Sequence, residues 1–292
     1  MESTLLSGPS RDWLIVGSNG AIGSELTKAL LRSRCFDASL PPVVRVHSHD
    51  TYAETNFDLL NSRTSSRPLR LLFCAGKGGF SLPQQSAELQ HDVFNAFCRR
   101  LVPSFHLEKF IYISSLGAHC SELRAPYSQL IAANEQTVCS IFKGSSLILR
   151  LPSMYGYNER SHRHHGLIGV ILQNLRLRRP TGIYARLETR RNYLSIHRLA
   201  PLLVRRQGEG GFLDQNGFLN IQSSISLSIF DVCTHFFRAV KQRPVLKLMP
   251  HSLVDEEHHY ANAIKGARFI VFDPIGEWVS MQWNRCSPLL AS

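Results

Sequence analysis

Four apolar residues, Trp13-Leu14-Ile15-Val16, run directly into Gly17-Ser18-Asn19-Gly20-Ala21-Ile22-Gly23, and no other stretch restricts the fold so tightly. The short apolar run predicts a strand buried on both faces, and the periodicity of residues 21–31 predicts a helix. Between them stand three glycines spaced three apart. Gly17 permits a tight turn, Gly20 lets backbone come close to a phosphate, and Gly23 lets the helix pack closely on the strand. The helix N-terminus then offers N–H groups and the positive end of its dipole to a pyrophosphate. The same glycines can serve a tight turn and nothing else, but a strand before and a helix after favour a dinucleotide site. Gly17, Asn19, Gly20, Ile22 and Gly23 are its first candidate contacts.

A wrapped parallel sheet needs a long chain, and 292 residues suffice for one large α/β domain with a smaller second lobe. The expected division is 12–155 for the dinucleotide-binding domain and 156–292 mainly for a substrate-binding lobe. A hydrophobic fraction of 43% with 19% charged residues belongs to a globular protein. Residues 1–11 are polar and read as a tail without the apolar core of a signal peptide. No stretch approaches the about 20 apolar residues that a bilayer span requires. The seven cysteines are odd in number and never form C-x-x-C. Free thiols in a reducing compartment, by default the cytoplasm, are expected.

The formal charge is +11 and lopsided: residues 160–206 hold eleven arginines, no lysine and one acid, Glu188, and so carry +10. A solvated basic surface is the plainest account of such a run. Its arginine-only composition favours an anionic ligand or partner, because planar guanidinium groups grip phosphate through paired hydrogen bonds. His162-Arg163-His164-His165 lies in the same segment without cysteine partners, and no metal site is read there.

Further along, Val43-Val44-Arg45-Val46-His47 reads as the second strand. An acid closing it would accept hydrogen bonds from an adenosine ribose. The chain has His47-Ser48-His49 instead, with Asp50 late, so NADP is accommodated at least as well as NAD. Asp58 can face an adenine amino group or cap a turn. Residues 69–74 read as another buried strand, ending in Ala75-Gly76-Lys77-Gly78-Gly79, where glycines again suit backbone beside a ligand. A helix is predicted over 84–101, with Leu89, Val93, Phe94, Phe97 and Leu101 on one face. Residues 110–113 form the next predicted strand and deliver Ser114-Ser115. Ala125-Pro126-Tyr127 opens a helix to about 142, and 147–151 is one more strand. Strands alternating with helices predict an α/β fold, a Rossmann-like doubly wound parallel sheet with a small C-terminal substrate-binding lobe. Little is legible in 245–292, beyond a strand at 269–272.

With these segments in order, the sequence resembles the extended short-chain dehydrogenase/reductases, the NAD-dependent epimerase/dehydratase family. The likeness rests on Gly17-x-x-Gly20-x-x-Gly23, Asp58, Tyr112-Ile113-Ser114-Ser115, and Ala125-Pro126-Tyr127, whose tyrosine lies twelve residues beyond Ser115. Leu149-Arg150-Leu151-Pro152-Ser153-Met154-Tyr155-Gly156 resembles the segment that leads from sheet to substrate lobe. Arg191-Asn192-Tyr193-Leu194-Ser195-Ile196-His197-Arg198-Leu199-Ala200 resembles one that usually ends in paired acids and an alanine. Residues 226–240 resemble a late helix opened by a capping box, Ser228 with Asp231.

The resemblance implies an NAD(P)-dependent epimerase, dehydratase or reductase acting on a nucleotide-activated sugar, in carbohydrate or surface polysaccharide biosynthesis. Tyr127 would exchange a proton with the substrate oxygen, Ser115 would orient that oxygen, and Arg191 would hold the diphosphate. His47, Ser48, Asp58, Ala75, Gly76 and Ser153 would complete the contacts to NAD or NADP. Dimerisation through the helices near 86–101 and 127–142 is also implied. The family's lysine, four residues after the tyrosine, lowers the tyrosine pKa from about 10, where it is a poor base near neutrality. Here Ile131 holds that position, and no lysine follows until Lys143. Arg198 stands where an acid is usual, and Ser153 where several members carry asparagine. Two readings follow: an enzyme of this kind, or a catalytically degenerate dinucleotide-binding protein that binds RNA or an acidic protein partner through its arginine-rich segment.

Overall fold

The apolar run at 13–16 becomes β1 (Asp12–Val16), with all four side chains buried. The glycine turn follows, and then α1 (Ala21–Cys35), β2 (Val43–Val46) and β3 (Leu69–Phe73). β1 pairs in parallel with β2 on one side and β3 on the other, so neither of its edges is open. The computed structural model describes residues 12–35, 43–46, 68–76, 82–104, 106–116, 126–158, 162–205, 216–223, 226–249 and 268–270. The chain forms two compact units, one of Met1–Ser114, Ser121–Leu149 and Ala200–Phe218, the other of Ser115–Cys120, Arg150–Leu199 and Leu219–Ser292.

The first unit continues through α2 (Gln84–Ser104), β4 (Leu107–Ser115), α3 (Pro126–Ile141) and β5 (Ser146–Leu151). Its sheet runs in the order β5-β4-β3-β1-β2. Leu14, Val16, Leu71, Phe73, Phe110 and Tyr112 point from the strands to Phe94, Phe97 and Leu101 of α2 and Val138 of α3. Aromatic rings fill this layer: Phe73 meets Phe94 edge-on at 4.8 Å, and Phe110 stacks on Phe142 at 4.3 Å. β4 begins at Leu107, three residues before the apolar pattern predicts, because Glu108 and Lys109 interrupt that pattern. Each of the two has a partner in place. Glu108 accepts from buried Arg70 at 3.0 Å, and Lys109 donates to Asn216. Arg70 and Lys109 stand opposite each other in the β3–β4 register, so these partners offset a buried like-charge pair.

The second unit contains β6 (Ser153–Asn158), β7 (Arg163–His165), α4 (Gly166–Arg176), β8 (Thr181–Ile183) and β9 (Arg190–Ser195). After α5 (Ile196–Arg205) and β10 (Gly217–Ser223) come β11 (Ser226–Ser228), α6 (Ile229–Val240), β12 (Leu246–Leu248) and β13 (Arg268–Ile270). One sheet has the order β11-β9-β6-β7, and β8 pairs with β12. Tyr155 and Tyr193 from the sheet pack on Ile168, Ile171 and Leu172 of α4 and on Val232 and Phe236 of α6. α6 starts at a complete capping box. Asp231 N–H donates to Ser228 Oγ at 3.0 Å, and Ser228 N–H donates to Asp231 Oδ2 at 2.9 Å. The strand expected at 269–272 is β13, whose described part ends at Ile270. Cys74, Cys98, Cys139 and Cys233 are free thiols.

Candidate functional site

In the first unit, the turn after β1 is made of close approaches that side chains would prevent. Gly17 has φ +86°, and a Cβ there would lie 2.7 Å from the Ala75 nitrogen, so the residues leaving β3 press directly on the turn. Cys74 N–H donates to the Val16 carbonyl at 2.8 Å and fixes this contact. A Cβ on Gly23 would lie 2.2 Å from the Gly17 carbonyl oxygen, so α1 is seated on the turn itself. Gly20 N–H donates to Gly17 O at 3.0 Å, and Ser24 N–H donates to Gly20 O at 2.9 Å. Gly20 is therefore the N-cap of α1. The amides of Ala21, Ile22 and Gly23 precede the helical ladder, at the positive end of the dipole.

This turn fits a pyrophosphate. The first turn of α1 holds no acid. Among the described residues, a Cβ on Gly20 would meet the Gly17 carbonyl oxygen at 3.3 Å and, chain neighbours aside, nothing else within 4 Å, so none of them crowds the backbone there. Gly17, Gly20, Gly23 and Ala75 are thus brought together, with Asn19 and Ile22, both half-buried, on the same turn. Gly76 follows Ala75 with φ +140°. Burial raises the pKa of the Cys74 thiol, which borders this region. His47, Ser48 and Asp58 lie outside the described residues.

Tyr127 stands in the first turn of α3, behind Pro126, which is pre-organised for that place. Ile131 and Glu135 follow at successive turns on the same stripe, and both are buried. The position four residues beyond Tyr127 is therefore aliphatic and closed to water. Around this stripe lies a polar network that the sequence reading missed. Asn134 Nδ2 donates to the Tyr112 hydroxyl at 3.2 Å, and Asn134 Oδ1 lies 2.8 Å from His91 Nδ1 of α2. Ser114 Oγ donates to Glu135 Oε1 at 2.5 Å. Burial holds the Tyr112 hydroxyl far above the ordinary phenol range; the Asn134 bond opposes this, while neighbouring Tyr127 and Glu135 reinforce it. Of the two serines closing β4, Ser114 is committed to α3, and Ser115 follows half-buried at the strand end. The available signal was Asn134-Glu135, two polar residues on the apolar stripe of a helix.

In the second unit, Ser153 opens β6, half-buried, and pairs with Tyr193 of β9. Arg191 precedes Tyr193 by two residues and shares its face of β9. Burial pushes the Tyr193 hydroxyl up to about 12, against the opposing pull of Arg191. The Tyr193 hydroxyl and Asn192 Oδ1 are buried with no hydrogen-bond partner among the described residues. The adjacent Arg190 faces the other way: it donates to the Ser226 carbonyl at 2.6 Å and pairs with Asp231 at 3.4 Å. Arg191 points to the sheet's other face. Burial, then Arg176, brings the His164 ring down to about 4. Among the described residues no group of three His, Cys, Asp or Glu side chains is placed to hold a metal ion.

Strand order, helix placement and the glycine turn define a Rossmann-like α/β fold, and the chain has the fold of solved UDP-sugar epimerases. Three solved structures show this in particular. UDP-glucuronic acid 4-epimerase from Bacillus cereus, in complex with UDP-glucuronic acid and NAD, is 14% identical, with 95% of this chain and 99% of that one covered at a TM-score of 0.71. UDP-glucose 4-epimerase from Thermotoga maritima, with UDP-glucose, is 13% identical, with 96% and 99% covered and a TM-score of 0.70. UDP-N-acetylglucosamine 4-epimerase from Methanobrevibacter ruminantium M1, in complex with UDP-N-acetylmuramic acid, is 13% identical, with 95% and 99% covered and a TM-score of 0.66. At such identities the likeness is one of fold. No protein-family model matches the chain, and no curated protein sequence matches it. Among the described residues no helix is long and apolar enough to cross a membrane.

Proposed function

We propose that this protein is an NAD(P)-dependent epimerase, dehydratase or reductase acting on a nucleotide-activated sugar, in carbohydrate or surface polysaccharide biosynthesis. The observation that carries this reading is the turn at Gly17–Gly23, where helix and strand close on bare backbone and place the first α1 amides ahead of the helical ladder. In this reading the pyrophosphate of NAD or NADP rests on Gly20, Ala21, Ile22 and Gly23, with Gly17, Asn19, Ala75 and Gly76 shaping the cradle. His47, Ser48 and Asp58 serve the adenosine half, and Ser153 the nicotinamide half. When bound, the nicotinamide supplies the hydride exchange. Tyr127 exchanges a proton with the sugar oxygen, Ser115 orients that oxygen, and Arg191 holds the nucleotide diphosphate through paired N–H groups. The UDP-sugars in the similar structures support the substrate class. A cytoplasmic homodimer, joined through α2 and α3, belongs to the same reading.

The test is calorimetry with NAD and NADP, followed by turnover of a panel of UDP-sugars read by chromatography. Binding of one dinucleotide and interconversion of at least one sugar are expected. Failure of both dinucleotides to bind removes the reading. One observation favours a second: Ile131 is buried where a cation would activate the tyrosine. A degenerate protein would hold the dinucleotide without turnover and use its arginine-rich segment on RNA or an acidic partner. Bound dinucleotide with every sugar untouched, by wild type and by Ile131→Lys alike, would select it.

A further inference from the structure

Two basic helix ends of the second unit converge on one small sheet. α4 runs out through Arg178-Arg179-Pro180 into β8, and α6 through Lys241-Gln242-Arg243-Pro244 towards β12. β8 and β12 pair in parallel with Gly182 opposite Lys247. Thr181 N–H donates to Val245 O, and Met249 N–H donates to Ile183 O, each at 2.8 Å, which ties both ends of the pair. Residues 176–186 and 237–249 contain eight Lys or Arg and no Asp or Glu. All of these cations but Arg176 are exposed. Complementing the helix dipoles accounts for Arg176 and Arg238, which sit in last turns. It does not account for Arg178, Arg179, Arg243 and Lys247, which lie beyond them.

Strand alternation decides what shares the outer face. Thr181 and Ile183 are buried, so Gly182 and Lys247 face outward with Tyr184 and Val245. A Cβ on Gly182 would lie 3.5 Å from Met249 Cγ and 3.7 Å from Tyr184 Cε2, so these side chains flank bare backbone. Tyr184 is 63% exposed and Val245 64%, and Leu177 at the end of α4 is 52% exposed. A merely solvated basic surface has no use for apolar groups held in water.

We propose that this face docks on an anionic lipid surface, with its cations over the headgroups and Tyr184, Val245 and Leu177 entering the interfacial layer. Cations and apolar tips side by side are the two contributions that such binding sums. Single-stranded nucleic acid suits the face less well, because base stacking needs open aromatic rings. Tyr184 is one such ring, but the Arg243 guanidinium already covers Phe237 at 4.9 Å. The aliphatic side chains gain nothing from bases and gain from acyl chains.

The test uses the full chain with vesicles of phosphatidylcholine alone or mixed with phosphatidylserine, and single-stranded RNA as a second ligand. Sedimentation with the phosphatidylserine vesicles only, weakening as salt is raised, is the expected result. The triple variant Lys241→Gln, Arg243→Gln, Lys247→Gln should bind about a hundredfold more weakly, at about fivefold per cation. Tyr184→Ser with Val245→Ser should also weaken binding, while its salt dependence stays that of wild type. Both variants should keep wild-type dinucleotide binding, which separates failure here from failure of the proposed activity. No binding, or equal binding to both vesicle types, overturns the proposal. So does RNA binding that displaces the protein from vesicles and survives loss of Tyr184 and Val245.

Discussion

Gly23→Ala is expected to destabilise the protein by about 2 kcal/mol, while Gly20→Ala is expected to leave stability nearly unchanged. At position 23 the new methyl would lie 2.2 Å from the Gly17 carbonyl oxygen and 2.9 Å from its carbon. That is more than an ångström short of ordinary contact, against backbone that is itself held at φ +86°. The first turn of α1 must lift, and overpacking of this kind costs up to about 3 kcal/mol. Alanine's advantage over glycine in a helix returns about 1 kcal/mol. At position 20 the methyl would lie 3.3 Å from the same oxygen, a strain of tenths of an ångström. The lower entropy of the unfolded alanine chain, about 0.4–1 kcal/mol, offsets it. Urea unfolding followed by circular dichroism reads both variants, with the slope unchanged. Calorimetry then reads the dinucleotide: Gly20→Ala should bind it at least about tenfold more weakly, because the methyl enters the space before the backbone. A Gly23→Ala midpoint equal to wild type would refute the packing. Equal destabilisation by the two variants would refute the difference between the positions.

Four further outcomes are expected. Arg191→Ala should weaken nucleotide-sugar binding by about 1.5–3 kcal/mol and leave dinucleotide binding alone; equal loss for both ligands in calorimetry would remove Arg191 from the substrate site. In the enzyme reading, activity should rise with pH above neutrality, and Ile131→Lys should shift the pH–rate profile towards neutral, since an ammonium one helical turn away favours the phenolate. Turnover near neutral pH that Tyr127→Phe does not slow would refute the tyrosine's role. Ser228→Ala should cost about 1 kcal/mol by removing the cap of α6. The Asp231 carboxyl is held below its ordinary value, first by the Ser228 backbone N–H, so its contribution is present above about pH 3.9 and fades as pH falls through its folded value. Asp231→Asn should therefore lose its penalty on acidification; a penalty that does not change with pH would mean that the carboxylate charge is irrelevant there.

What the sequence by itself determined is whatever a few consecutive residues can settle. Trp13 to Gly23 dictates strand, turn and helix because an apolar run has one stable way to be buried and the glycines sit at the turn's own contacts. Ser228 and Asp231 dictate a capping box because both partners lie within one turn of chain. The alternation of apolar strands and amphipathic helices was legible for the same reason, and with it the wrapped parallel sheet. Only tertiary structure could decide what depends on partners far apart in the chain. Lys109 broke the strand pattern in sequence, and Asn216, more than a hundred residues later, makes it tolerable. Ser114 and Ser115 are indistinguishable as letters; Glu135, across on α3, commits the first. Arg190 and Arg191 are equally anonymous until the pleat sends one to Asp231 and the other towards Tyr193. Two basic helix ends some sixty residues apart become one surface only because β8 pairs with β12. Local chemistry chooses the elements, and the surroundings of a charge or a hydroxyl are set by whichever distant segment the sheet brings beside it.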